Sequence, residues 1–164
     1  MSIRTNAYYR ELAAQWLTEA GVLEPPVDIE CLAAYLGVPI RALPMPKFFT
    51  AALVSDDGMP SILINSVAGE GGRRHALGHV IGHMLMVMDE GATGAYPRTT
   101  TEHREADVLA TAIIMPDPMV ADQAGKWFND YRYLARLFGV HENEMLDKMT
   151  EMGILRERAI RWDY

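Results

Sequence analysis

Residues 72–89 read GRRHALGHVIGHMLMVMD, and in this stretch a histidine stands at every fourth position, at His75, His79 and His83. Side chains at positions i, i+4 and i+8 share one face of an α-helix, so the segment predicts a helix with a stripe of imidazoles. Two histidines at i and i+4 have the spacing with which a helix presents two ligands to one tetrahedral zinc ion. The stripe is therefore the first candidate for a functional site.

A second long helix is predicted over residues 100–115, and Pro116 ends it. It carries His103 with Glu102 and Glu105, which are side chains that zinc accepts as ligands. Histidines at helical spacing also occur half-buried or as caps of backbone carbonyls, without any metal. Because two packed helices often supply the ligands of one metal site, a metal centre is the favoured interpretation.

The rest of the chain predicts an α+β fold. Apolar residues at helical spacing predict further helices over residues 6–20, 28–36, 130–138 and 142–152. Runs of strand-forming residues predict three short strands over residues 38–43, 51–55 and 61–65. Connections this short favour an antiparallel meander. The expected architecture is a mostly helical single domain over residues 1–164 with a small three-stranded antiparallel sheet.

Composition and charge limit the classes of function open to this chain. Of its 164 residues, 49% are hydrophobic, which is enough for a core and excludes a disordered chain. A net charge of −7 disfavours direct binding to nucleic acid or to an anionic membrane surface. Cys31 is the single cysteine and cannot form an intramolecular disulfide, and we find no targeting or membrane-spanning segment. We therefore expect a cytoplasmic protein.

Two sequence motifs resemble those of a known family. Residues 74–83, RHALGHVIGH, resemble the zinc-helix motif R-F-T-L-A-H-E-L-G-H of the ImmA/IrrE family of metallopeptidase-like proteins. Residues 105–116, EADVLATAIIMP, are similar to that family's second signature, E-A-N-x-F-A-A-E-L-L-M-P. Both motifs occur in the expected order and separation, so the chain is identified as a member of this family. The resemblance implies a zincin-like helix pair and a zinc cofactor.

The resemblance also implies a set of metal ligands. It assigns His79 and His83 as zinc ligands, and it puts His103 at the third ligand position, where the family has a glutamate. Glu102 and Glu105 stay open as alternatives for that third position. Asp107 follows His103 by four residues and is well placed to accept the second ring N–H of a ligating imidazole.

A competing register uses His75 and His79 as the histidine pair. The matches of Arg74 and Leu77 to the family motif favour His79 and His83. Neither register contains the family's catalytic glutamate, because Val80 follows His79 and Ala76 follows His75.

Val80 stands where the family has the glutamate that acts as general base and activates a water molecule. An isopropyl group accepts no proton, and the loss of a positioned base costs about 10²- to 10⁴-fold in rate. The catalytic residues of this chain are therefore unknown from sequence, and we expect weak or absent hydrolytic activity.

The resemblance further implies a role in regulation. Family members act beside helix-turn-helix repressors of phage, mobile-element or stress genes, and they cleave or inactivate the repressor. The expected function is zinc-dependent regulation of such a repressor, with weak or absent peptidase activity. Two alternatives stay open, an active zinc metallopeptidase that cleaves the repressor and a metal-free protein-interaction module with the same fold.

Overall fold

The computed structural model describes residues 5–56, 58–89 and 100–156, with side chains for the same residues except 56, 87–89 and 100–103. Its helices are Asn6–Glu19 (α1), Ile29–Tyr35 (α2), Glu70–Asp89 (α3), Thr100–Ile114 (α4), Asp117–Lys126 (α5), Tyr131–Phe138 (α6) and Glu142–Glu151 (α7). Its strands are Ile40–Leu43 (β1), Ala51–Asp56 (β2) and Met59–Asn65 (β3). The predicted α+β class is confirmed. None of the described helices combines the length and apolarity needed to cross a membrane.

Local sequence signals set the helix ends. The Asp28 side chain accepts a hydrogen bond from the backbone N–H of Cys31 at the start of α2, and Asp130 caps α6 in the same way. Gly139 ends α6 in the left-handed conformation, with a φ of 67°, which glycine adopts without a steric penalty. These caps explain why the predicted boundaries of α2 and α6 lie within one residue of the observed ones.

Helix α5 is missing from the sequence-based prediction, because Pro116 and Pro118 indicate only the end of α4. The structure uses both prolines at the beginning of a helix. Pro116 is the N-cap of α5 and Pro118 lies in its first turn, where the N–H that proline lacks would have no partner within the helix.

The sheet is mixed, so the expected antiparallel meander is wrong. Strands β2 and β3 form the predicted antiparallel hairpin, whereas β1 pairs parallel with β3, which gives the order β1-β3-β2. The connection over residues 44–50 carries the chain past the position of β3 to the far edge of the sheet. Strand β3 then returns between the two edge strands.

Asn65 holds this connection in place. Its buried side chain hydrogen-bonds the backbone N–H and C=O of Met45, the carbonyls of Pro46 and Phe49, and the N–H of Val67. Buried backbone groups need partners, and this one amide supplies several of them. The long crossing between the sheet edges is thereby stabilised, which the sequence pattern did not reveal because asparagine after a strand also indicates a simple turn.

Helices α3 and α4 form the centre of the molecule. Helix α3 packs against α4 and also against β2 and β3, while α4 packs against α1. Their contact buries large apolar side chains, among them Leu77, Ile81, Leu85, Leu109 and Ile113. Each such side chain contributes about 1.5–3 kcal/mol when it is fully buried. The α3–α4 seam is therefore a rigid support for any side chain that lies along it.

Candidate metal centre

Helix α3 brings two of its three histidines together. The Nε2 atoms of His79 and His83 lie 2.9 Å apart, and their ring centroids are 4.5 Å apart with the planes inclined by 65°. Zinc–nitrogen bonds of about 2.0–2.1 Å put two tetrahedral nitrogen ligands about 3.3 Å from each other. The two imidazoles therefore approach one point at nearly the spacing of metal ligands.

Asp107 of α4 orients one of these rings. Its Oδ1 atom lies 2.8 Å from Nδ1 of His79, so the ring donates its Nδ1–H to the carboxylate. This tautomer leaves a lone pair on Nε2, the atom that faces His83. The spacing argument related Asp107 to His103 on the same helix, whose side chain lies outside the described residues, whereas the observed contact is with His79 on the other helix. In metal sites, a carboxylate commonly accepts a hydrogen bond from the one ring nitrogen of a ligating histidine that does not bind the metal.

A close approach of the two helices makes this contact possible. A Cβ atom added to Gly82 would lie 2.9 Å from the carbonyl oxygen of Ala106 and 2.9 Å from the backbone nitrogen of Ala110. Those neighbours are backbone atoms and cannot move aside as the end of a flexible side chain can. Glycine at position 82 thus allows α3 and α4 to touch, and Asp107, next to Ala106, reaches His79.

The structure favours one set of candidate ligands. Among the described residues, His79, His83 and Asp107 form the one group of three metal-binding side chains with ligand atoms within 4.8 Å of one another, so they lie close enough to hold a metal ion. His103 and Glu102 belong to α4, and their side chains fall outside the described residues. The third ligand from α4 therefore stays a prediction.

The competing pair of His75 and His79 receives no such support. The exposed His75 ring has its Nδ1 atom 3.6 Å from Oε1 of Glu144 on α7. In the part of the chain with described side chains, neither His75 nor Glu105 belongs to a group that could hold a metal.

A cleft of about 680 Å³ opens beside His79. It is also lined by Val80 of α3, by Thr50 and Ala51 at the start of β2, and by Glu144 of α7. Val80 packs partly on the core, so an apolar surface stands where the resemblance implies a general base. Glu144 is a carboxylate of this cleft that sequence reasoning missed, because only the tertiary fold brings α7 next to α3.

The donor set fits a zinc ion. Zinc binds imidazole nitrogen and carboxylate oxygen, and catalytic sites leave one coordination position open to the substrate side. Here, two imidazoles converge beside an open cleft, and a carboxylate fixes the proton position of one of them.

A family model matches most of the chain. The model of peptidase M78, described as the IrrE N-terminal-like domain, matches residues 33–150. The chain belongs to the IrrE N-terminal-like family. The matched segment contains all of α3 and α4, and the resemblance to ImmA/IrrE proteins is confirmed.

The fold of this IrrE-like chain recurs in a solved structure. A Mycobacterium tuberculosis transcriptional regulator is similar to it with a TM-score of 0.63 and 15% sequence identity over 88% of this chain. The IrrE-like chain covers 46% of that regulator, or about half its length. Likeness at this level of identity shows a shared fold. No curated protein matches the sequence significantly.

Proposed function

We propose that this IrrE-like protein is a zinc-binding cytoplasmic regulator that acts on a helix-turn-helix repressor of phage, mobile-element or stress genes. Its peptidase activity is weak or absent. The observation that carries the proposal lies within one turn of α3. His79 and His83 of α3 converge, and Asp107 of the facing helix α4 contacts the His79 ring. Val80, which is beside His79, has no proton acceptor.

Zinc would be held by His79 and His83 through Nε2, with His103 as the third ligand. Position 103 lies one helical turn before Asp107 on α4, so the two positions share one helix face. Asp107 faces His79, which makes that face of α4 the appropriate source of a further ligand. When bound, zinc supplies a Lewis acid that polarises a substrate carbonyl.

Hydrolysis of a peptide needs more than a Lewis acid. A side chain must take a proton from the attacking water and deliver a proton to the leaving amine. Val80 lines the cleft beside His79 and can do neither. The loss of such a group costs about 10²- to 10⁴-fold in rate, so partner binding becomes the main activity of the site.

The regulatory role rests on the family and on charge. The resemblance to the ImmA/IrrE family implies action on a repressor, and a protein of similar fold is named a transcriptional regulator. The net charge of −7 makes a protein partner more suitable than a nucleic acid.

The test first reads the genes on either side of this one, where we expect a helix-turn-helix repressor, and then mixes that repressor with the zinc-loaded chain. Calorimetry measures complex formation, and mass spectrometry of the same mixture measures cleavage. We expect a complex with an intact repressor. Rapid cleavage by the wild-type chain that stops when a chelator is added would contradict weak activity.

Two substitutions at one position show whether the missing carboxylate is the defect. Val80→Glu restores a proton acceptor beside His79, and we expect it to gain chelator-sensitive cleavage. In Val80→Gln the side chain has the size of glutamate but lacks the carboxylate that accepts a proton, and we expect this variant to stay inactive. Cleavage by both variants, or by neither, would contradict the assigned reason for weak activity.

An active metallopeptidase is the second candidate, and Glu144 is the observation that favours it. This carboxylate lines the same cleft as His79, and its Oε1 atom lies 3.6 Å from Nδ1 of His75. If Glu144 supplies the proton acceptor, the wild-type chain cleaves the repressor and Glu144→Gln abolishes cleavage. Glu142→Gln is the matched control, because Glu142 is on the same helix near Arg132 and does not line the cleft.

The third candidate is a metal-free interaction module, and measuring complex formation with and without a chelator distinguishes it from the two zinc-dependent candidates. It would form the complex equally well with and without zinc, and it would take up no added metal.

A further inference from the structure

A second cleft, of about 900 Å³, lies at the other edge of the sheet, between β1, α2 and the first half of α3. We call it the β1 groove and define it by Val38, Ile40, Ala42, Leu77, Arg73 and Arg74, all of which line it. Its floor is apolar, and its two guanidinium groups come from one end of α3. None of the candidate metal ligands lines it.

The backbone of β1 is open along this groove. Two carbonyls of this segment, those of Pro39 and Leu43, accept hydrogen bonds from β3 and the residue after it, at 2.9 Å each. Backbone groups alternate in direction along a strand, so those of Ile40 and Ala42 point away from β3. In the described part of the chain no other strand pairs with β1. An open strand edge is a template for another extended chain.

The two arginines of the groove differ in how their charges are compensated. Arg74 donates from Nη2 to the carbonyl of Val27 at 2.7 Å. Burial lowers the pKa of the Arg74 guanidinium, and the nearby carboxylates of Asp28 and Glu70 oppose that shift. Asp28 and Glu70 also line the groove, so Arg74 balances part of their negative charge.

Arg73 has no such compensation. The Nε atoms of both arginines are buried without a hydrogen-bond partner, but the Arg73 side chain, unlike that of Arg74, forms neither a hydrogen bond nor an ion pair with any described residue. A buried donor without an acceptor is destabilising, typically by about 1–3 kcal/mol. Glu30 of α2 also lines the groove, but it forms neither an ion pair nor a hydrogen bond with Arg73. Arg73 is thus a cation that an acidic group from outside the chain can pair with.

We propose that the β1 groove binds an extended segment of a partner protein, which adds a strand to the open edge of β1 and places an acidic side chain on Arg73. The backbone of the segment pairs with Ile40 and Ala42, and its alternate apolar side chains cover the floor of the groove. The acidic side chain satisfies the Arg73 guanidinium, the best geometry being a bidentate pair. This site is separate from the candidate metal centre and goes beyond the function proposed above.

The probe is a phage-displayed library of random twelve-residue peptides, selected against the full chain. The strongest binder is then synthesised, together with a version in which each acidic residue is replaced by its amide. We expect selected peptides with alternating apolar residues and an acidic residue. We expect the amide version to bind the wild-type chain about tenfold more weakly, and Arg73→Gln to bind the two versions equally.

Two more variants test the geometry. Ala42→Pro removes an N–H that points to the open edge, a position where proline is tolerated, and it should weaken peptide binding by about tenfold or more. Arg41→Gln is the control, because Arg41 is an exposed arginine of the same strand that does not line the groove. We expect Arg41→Gln to bind as the wild type does.

The remaining outcomes overturn the proposal. They are a selection without any binder, an amide version that binds equally well, and binding that is lost in His83→Ala but kept in Arg73→Gln. If Ala42→Pro lowers the melting temperature, hydrogen exchange of the wild-type chain replaces it. The peptide must then slow the exchange of the Ile40 and Ala42 amides, and unchanged exchange contradicts strand addition.

Discussion

The α3–α4 seam and the cleft wall beside it carry different parts of one site. In the seam, His79, His83 and Asp107 are held by helix packing, and Gly82 permits the close approach that this packing needs. On the cleft wall, Val80 is a single side chain that packs partly on the core. Under the proposed function, metal binding would therefore depend on the fold of two helices, whereas proton transfer would depend on one residue. The two properties can be lost independently.

This difference also predicts which changes the protein tolerates. A substitution in the seam disturbs buried contacts and the ligand geometry together, because the packing around the ligands holds them in position. A substitution on the cleft wall changes the chemistry of the cleft and leaves the seam intact. Substitutions in the two regions should therefore have separable effects on zinc affinity, stability and cleavage.

The largest effect is expected for His83→Ala. It removes one of the two converging imidazoles, and we expect zinc affinity to fall by about a thousandfold, or about 4 kcal/mol. Competition with a fluorescent zinc chelator measures the affinity. His75→Ala removes the third histidine of the same helix and should keep wild-type affinity, and equal losses in both variants would contradict the choice of register.

Gly82→Ala should act through packing. Its new methyl group meets the backbone of Ala106 and Ala110, so the helices must separate. We expect the free energy of unfolding to fall by about 1–3 kcal/mol, as for other overpacked sites, and zinc affinity to fall with it. Thermal and denaturant unfolding measure the loss.

Gly72→Ala is the matched control for that change. A Cβ atom at Gly72 has no neighbour within 4 Å, and the residue lies in the same helix. Alanine is the better helix former by about 0.5–1 kcal/mol, so this variant should be slightly more stable than the wild type. A similar loss in both variants would contradict the special role of Gly82.

Asp107→Asn should weaken zinc binding by about 10- to 100-fold, the usual range for a group behind a metal ligand. The amide keeps the size of the carboxylate but loses its charge, so His79 is held less firmly in the required tautomer. The fluorescent competition assay measures this loss too. Asp122→Asn on α5 is the control and should bind zinc as the wild type does. A loss as large as that in His83→Ala would instead identify Asp107 as a direct ligand.

The smallest effect is expected at the cleft wall. Val80→Gln should change zinc affinity by less than about twofold, because position 80 supplies no ligand and no support for one. Zinc titration compares it with the wild type. A large loss would show that the cleft wall and the seam are not independent.

The sequence predicts most of the helices because their signals are local. Apolar spacing and the caps at Asp28, Asp130 and Gly139 place α2 and α6 to within a residue. The histidine spacing on α3 likewise indicates which side chains share a helix face. Such features need only a few neighbouring residues to be recognised.

The errors arise where a local signal is ambiguous or where the cause is not local. The order β1-β3-β2 depends on Asn65, whose hydrogen bonds hold a connection about 20 residues earlier in the chain. Helix α5 begins at prolines that also indicate the end of α4. The position of Glu144 beside His79 depends on how α7 packs, which no spacing rule contains.

We expect α3 and α4 together to hold one zinc ion through His79, His83 and His103. X-ray absorption at the zinc edge, on the chain loaded with one equivalent of zinc, counts the imidazoles around the metal. We expect three imidazoles around zinc in the wild-type chain and two in His103→Ala. A chain that takes up no zinc, or a His103→Ala spectrum identical to that of the wild type, would contradict this expectation.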